Sequence, residues 1–311
     1  MANGPEHFDE TLQPPFLRII FVPAYRLELA SPASGRQHLA MKIILQSSFI
    51  IMTTGLFLFA SKKELQRGNK GNDLVPLYIQ FDNMVGDQPV QLDNRQYVTA
   101  AGDSFTVSQL QYFISNISLE RANGKSFVVN QDDSYFLVQE QEPGTRRIKV
   151  NVAPADYRGL SFVLGVDSLR NTMHVSRRTG VLDPSSSMDN GMYWSWNSGY
   201  IFFKMEGDSP AAPVDPAGNQ KFRFHVGGFG GYKAKTFNNI KTITLDLRKG
   251  GVVRPRKNND ATIFLKADLL KVFGGDSTVK IAEHPSVMFS QYSMNIANNY
   301  AKMFSHARTQ N

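Results

Sequence analysis

Both tryptophans of the chain lie one residue apart, at Trp194 and Trp196. In an extended strand, residues two apart project to the same side, so the two indoles would share a face with Met192. Indole rings suit a redox site, and a methionine thioether is a soft ligand for Cu(I). An intact indole is a poor metal ligand, whereas oxidation to kynurenine would give it an aniline nitrogen that can donate. A plain hydrophobic patch is the alternative use of the same residues.

Histidines are the other candidate metal ligands, because imidazole also suits copper. His225 lies in the strand-like run KFRFHVGG, His174 in the polar segment RNTMHVSRRTG, and His284 at the start of HPSVMF. His306 stands near the end of the chain, where we expect mobility. A single histidine in a strand is more commonly structural than a ligand, so the residues alone leave its role open.

Several function classes are excluded by what the sequence lacks. There is no cysteine, which rules out disulfides, zinc–thiolate sites and cysteine nucleophiles. No G-x-S-x-G, phosphate-loop or H-E-x-x-H motif is present. Asp167, Asp183 and Asp189 flank the tryptophan segment but stand beside turn residues, where aspartate commonly turns the chain. We therefore expect a protein that is not an enzyme.

The positive charge does not point to nucleic acid. The formal net charge is +7, but the basic residues form small separate clusters rather than one stripe with interleaved aromatics. The run RKGGVVRPRKNND is typical of a solvated loop. We expect no nucleic-acid partner.

The N-terminal part has the pattern of an export signal. Met41 and Lys42 are followed by an apolar run from Ile43 to Ala60 and then by charge. We interpret residues 41–61 as a signal peptide, with an uncleaved membrane anchor as the alternative. An uncleaved anchor is the only contact with a membrane that we expect. Residues 1–40 are predicted to be a non-native or disordered extension, or else a cytoplasmic tail, and residues 62–73 a linker. A bacterial periplasmic, secreted or cell-surface location follows.

From residue 74 to residue 306 the pattern favours β structure. Runs such as LVPLYIQFDNMV and IKTITLDL alternate apolar and polar residues, and many short strands follow one another at close spacing. This predicts a mainly β, antiparallel, sandwich-like single domain. Met294, Ala297, Ala301 and Phe304 fall on one helical face, which predicts a short C-terminal helix.

Six segments of this region resemble the MbnP family in their residues and in their order along the chain. The similarity runs from about Leu74 to Phe304, and W-x-W-N-S-G-Y is its most specific part. The segments are LQYFISNISL, YRGLSFVLGVDS, LDPSSSMDNGMYWSWNSGYIFFKMEG, FRFHVGGF with NNIKTITLDL, and HPSVMFSQYSMNIANNYAKMF.

The resemblance implies an exported copper-associated protein with a partner. The usual partner of MbnP proteins is MbnH, a MauG-like di-haem protein that oxidises a tryptophan of the MbnP protein. In related surface proteins, a tryptophan oxidised to kynurenine joins histidines in holding Cu(I). By position, the modified ring is Trp194 or Trp196, and His225 is the leading copper ligand, with His284 and His174 weaker. Where the related copper proteins place a histidine two residues after the modified ring, this chain has Trp196 if Trp194 is the target.

The resemblance thus predicts an exported copper-binding or copper-handling protein whose Trp-x-Trp motif is oxidised to kynurenine. The alternative is a metal-free β-sandwich module for surface interactions or glycan binding. That module would use Trp194, Trp196 and Tyr200 as exposed stacking rings.

Overall fold

The computed structural model describes residues 74–196 and 199–311, all within the compact unit Lys70–Asn311. The predicted extension, export signal and linker lie outside the described residues and stay predictions. No helix in the described part of the chain is long and apolar enough to cross a membrane.

Strands dominate the described residues, and the few helices are short. The α-helices are α1 (Ser168–Thr172), α2 (Pro184–Asp189), α3 (Leu270–Phe273) and α4 (Ser293–Tyr300). The strands are β1 (Val75–Val85), β2 (Gln88–Pro89), β3 (Tyr97–Val98), β4 (Ser104–Phe105), β5 (Gln109–Arg121), β6 (Ser126–Val128), β7 (Tyr135–Gln139), β8 (Arg147–Val152), β9 (Tyr157–Leu164), β10 (Tyr193–Trp194), β11 (Gly199–Asp208), β12 (Lys221–Gly227), β13 (Lys241–Asp246), β14 (Thr262–Asp268), β15 (Ser286–Val287) and β16 (Phe304–Gln310).

The smaller of the two main sheets has the order β16-β14-β1-β2, with β8 also paired to β1. Every second residue of β1, from Val75 to Val85, is buried, so this strand presents one face to the core and one outward. β1 and β14 run parallel, whereas β8 and β16 run antiparallel to their neighbours.

The larger sheet has the order β13-β9-β5-β11-β12-β15, and β6, β7 and β10 pair onto its strands. The long central strand β5 pairs with β9 and β11, and its consecutive residues from Leu110 to Ser115 are buried, so both of its faces are covered there. β12 and β15 run parallel. A separate two-strand ribbon joins β3 and β4.

The two main sheets pack face to face through aromatic rings. Phe81 of β1 lies 6.1 Å from Tyr112 of β5 and 6.0 Å from Phe162 of β9, measured between ring centroids, and both contacts are edge-to-face. Phe304 of β16 adds a further edge-to-face contact with Phe162 at 5.1 Å. Such pairs add to the free energy gained from burying apolar area, so these rings join one sheet to the other.

The mainly β fold and the short C-terminal helix are confirmed. Both main sheets are mixed rather than wholly antiparallel, because each contains one parallel pair of strands. The helix ends at Tyr300, and Phe304 begins the last strand rather than extending the helical face. The expectation that His306 is mobile was wrong, because β16 pairs with β14 and His306 Nε2 lies 3.0 Å from Thr309 Oγ1.

Candidate metal and modification site

The tryptophan segment forms a hairpin on the larger sheet. Trp194 of β10 pairs with Gly199 of β11, and Trp196 lies in the turn that follows β10. The two indole centroids are 5.4 Å apart with a 42° angle between the ring planes. Trp194 is 6% exposed and Trp196 is 66% exposed, while Met192 is fully buried. The prediction that the indoles lie together is therefore correct, but one ring is internal and the other is at the surface.

Trp194 lies directly against the backbone of β12. A Cβ built on Gly227 would stand 2.7 Å from Trp194 Cζ3 and 2.4 Å from the carbonyl oxygen of Tyr200. Only glycine leaves room for the indole at that position. Phe289, just beyond β15, packs on Trp194 edge-to-face, with centroids 6.4 Å apart.

A cavity of about 220 Å³ borders the Trp194 ring. Its walls are mostly aromatic side chains and glycine backbone from the GGFGGY loop and the hairpin. The lining residues are Trp194, Gly199, Gly228, Phe229, Gly231, Tyr232, Thr236 and Phe289.

His225 lies on the same face of β12 as Gly227, because the two residues are two positions apart in a strand. Its Nε2 is 2.8 Å from Oε1 of Glu206 on β11. The same carboxylate oxygen lies 3.4 Å from Nζ of Lys204, the residue directly opposite His225. The result is a compact Lys204–Glu206–His225 cluster.

This cluster holds Glu206 as an anion. The hydrogen bond from His225 lowers the pKa of Glu206 to about 2, outweighing the upward effect of burial, and the charges of His225 and Lys204 add to the lowering. Lys204 is only 8% exposed, and Glu206 offsets the cost of burying its charge.

The contact also decides which nitrogen of His225 can bind a metal. When the ring is neutral and Nε2–H donates to Glu206, the lone pair of Nδ1 is available to a metal, whereas the protonated ring has none. Metal-binding histidines in proteins typically donate their second N–H to a carboxylate in this way. Within residues 74–196 and 199–311, the His225 ring makes its hydrogen bond through Nε2 and leaves Nδ1 for a metal. This arrangement fits a copper ligand.

The other predicted ligands lie in different surroundings. His284 stacks on Tyr292, with ring centroids 3.5 Å apart. His174 is exposed, and its Nδ1 lies 2.8 Å from Ser176 Oγ. The described residues contain no group of three His, Asp or Glu side chains placed to hold a metal.

No sequence pattern indicated that Lys204 and Glu206 belong to the site. Their spacing in YIFFKMEG places both side chains on one face of β11, but nothing in the sequence indicates that β12 pairs beside them. Tyr200 is fully buried, and its hydroxyl donates to the carbonyl oxygen of Leu182. It cannot serve as an exposed stacking ring for a glycan.

Comparison with known proteins identifies the family and supports the fold. The MbnP family model matches residues 75–289. The chain belongs to the MbnP family. The solved structure of MbnP from Methylosinus trichosporium is similar to this MbnP-family chain, with a TM-score of 0.50 and 19% identity over 70% of this chain and 82% of that one. At this identity the match shows the fold alone. No curated protein matches the sequence.

Proposed function

We propose that the chain is an exported copper-binding protein in which a di-haem partner oxidises the Trp194–Trp196 pair. Membership of the MbnP family supports this function. The observation that carries it is the contact of Trp194 with Gly227, two residues from His225 on the same face of β12. A two-residue step along a strand is about 7 Å, so the backbone of His225 lies about that far from the residue that the indole contacts.

Trp194 is the ring we expect to become kynurenine. It borders the cavity of about 220 Å³, which gives the opened ring space that a close-packed core would not provide. Trp196, the exposed ring, is the one a partner can reach. Because the ring centroids are 5.4 Å apart, electrons can pass from Trp194 through Trp196 to the oxidised haems of the partner. Kynurenine formation would remove four electrons and four protons, open the C2–C3 bond of the indole with two oxygen atoms taken from water, and release C2 as formate on hydrolysis.

Copper would be held by nitrogen donors at this face. Nδ1 of His225 and the aniline nitrogen of an oxidised Trp194 are the candidates, and Glu206 orients the imidazole. Nitrogen ligands suit copper, and the expected chemistry is coordination rather than turnover. Met192 is fully buried, so its thioether is the weakest candidate.

Peptide mass spectrometry after co-expression with the partner tests the modification. We expect the mass of kynurenine on Trp194 in the parent protein. Trp194→Phe should abolish it, and Trp196→Phe should reduce its yield without moving it to another residue. An unmodified Trp194 together with a modified Trp196 would reverse the assignment. No modification of either ring would refute the proposal.

A metal-free interaction module is the second candidate, supported by two exposed rings. Tyr232 is 75% exposed and lines the cavity beside Trp194, while the exposed Trp196 packs against Trp194. Aromatic rings so placed can stack on a sugar. Glycan binding that is lost in Trp196→Ala and Tyr232→Ala, and is unaffected by copper chelation, would favour this function.

A further inference from the structure

The outward face of the smaller sheet carries basic and aromatic residues in register across four strands. Arg147 of β8 pairs with Gln80 of β1, Gln80 with Phe264 of β14, and Phe264 with Arg308 of β16. Nearby, Lys149 of β8 pairs with Tyr78 of β1. We call the three cations Arg147, Lys149 and Arg308 the basic face.

Both arginines of the basic face lie over aromatic rings. The Arg147 guanidinium carbon is 4.1 Å from the centroid of Tyr78, and that of Arg308 is 3.3 Å from the centroid of Phe264. Stacking orders each guanidinium through its planar surface. Both arginines are exposed, and Nη2 of Arg147 also donates to Thr262 Oγ1 at 3.5 Å. The N–H edge of a guanidinium matches the paired oxygens of a phosphate group.

The charge of the basic face is not neutralised by the protein itself. In the described part of the chain, none of its three cations has a carboxylate within 4.0 Å. Lys266, further along β14, is instead paired with Asp87 at 3.0 Å. Asp82 is the acidic residue of β1 on this side, and it lies opposite Lys266 rather than among the three cations.

The spacing favours an extended anionic surface over a small ligand. Arg147 and Arg308 stand three strand intervals apart, roughly 14 Å, so one small anion cannot contact both. We propose that the basic face docks on the phosphate headgroups of an anionic lipid bilayer.

The position of β1 in the sequence favours a bilayer over an acidic protein. This strand begins at Val75, about 14 residues after the apolar run ends at Ala60, and those residues could span at most roughly 50 Å. If the apolar run remains in a membrane, its tether keeps the sheet near the headgroups. The intervening residues include Lys62, Lys63, Arg67 and Lys70. Basic residues beside an apolar segment are attracted to anionic lipid.

Vesicle flotation of the full chain tests the proposal. The probes are phosphatidylcholine vesicles with and without phosphatidylglycerol, at low and high salt. The difference between the two lipid mixtures reports the electrostatic part of binding, to which the basic residues at 62–70 and the basic face both contribute. The share of the basic face is the part that its variant loses. We expect the triple variant Arg147→Glu, Lys149→Glu, Arg308→Glu to lose at least about 100-fold of the phosphatidylglycerol-dependent partitioning, from roughly fivefold for each cation.

A matched control reverses three exposed cations that lie away from this sheet: Arg177→Glu, Lys221→Glu and Lys235→Glu. It should retain most of the lipid preference, although its net charge changes equally. The neutral triple Arg147→Gln, Lys149→Gln, Arg308→Gln replaces the reversal variant if that one does not fold. Equal losses in the face and control variants would refute the proposal. The proposal would also be overturned if the parent protein partitioned equally into vesicles with and without phosphatidylglycerol, or if it bound a soluble acidic protein more tightly than vesicles.

Discussion

Nε2 of His225 and Oε1 of Glu206 are 2.8 Å apart, yet the two residues are not paired in the sheet. The residue opposite His225 is Lys204, and the residue opposite Glu206 is Arg223. The carboxylate therefore reaches diagonally to the imidazole on the next strand while it also contacts a cation on its own strand. This diagonal contact keeps Glu206 charged and orients the imidazole of His225, two residues along β12 from the Gly227 that Trp194 contacts.

We predict an acid-sensitive contribution of Glu206 to stability. Its pKa is lowered from 4.5 to about 2 in the folded protein, so the stabilisation is complete above the unfolded value and is lost as the pH falls toward 2. The contribution should be about 1–2 kcal/mol, since solvent screening weakens a partly exposed pair. Urea unfolding at pH 6, 4 and 3 should show a shallower decline for Glu206→Gln than for the parent. Identical declines would contradict the prediction.

How far the sequence could predict this site depends on the distance between its parts along the chain. The contact between Trp194 and Trp196 follows from their spacing, and the mainly β pattern follows from local alternation. The Glu206–His225 contact instead depends on the register between β11 and β12, which are joined by the loop at residues 209–220. Local sequence does not encode that register. The parallel pairing of β1 with β14 is equally non-local, because most of the domain intervenes between the two strands.

We predict that Gly227→Ala disturbs the indole. The added Cβ would meet Trp194 at 2.7 Å and the Tyr200 carbonyl oxygen at 2.4 Å, so the hairpin must move. Overpacking of this kind costs about 1–3 kcal/mol of unfolding free energy. Chemical denaturation measures the loss, and tryptophan fluorescence reports the changed surroundings of the ring. Gly144→Ala is the matched control, since nothing lies within 4 Å of a Cβ there. A Gly227→Ala protein as stable as this control would contradict the packing.

We predict that the buried guanidinium of Arg178 holds the tryptophan hairpin in place. Its Nη2 donates to the carbonyl oxygen of Asn171 at 2.8 Å, and its Nη1 donates to the Tyr193 hydroxyl at 3.2 Å. Lysine keeps the charge but cannot make this fork of hydrogen bonds. Arg178→Lys should therefore lower the free energy of unfolding by about 1–3 kcal/mol. The exposed neighbour Arg177→Lys should change it little. Equal stabilities of the two variants would show that Arg178 does not hold the hairpin.

Copper binding provides the clearest distinction among the histidines. Competition against a Cu(I) chelator, on protein whose Trp194 has been modified, should show the largest loss for His225→Ala. His174→Ala should bind like the parent, because that imidazole is exposed and bonded to Ser176. Glu206→Gln keeps His225 but weakens its orientation, so we expect an intermediate loss of roughly 10–100-fold. If His284→Ala loses more copper than His225→Ala, the metal lies nearer Tyr292 than Trp194, and the site proposed on β12 is wrong.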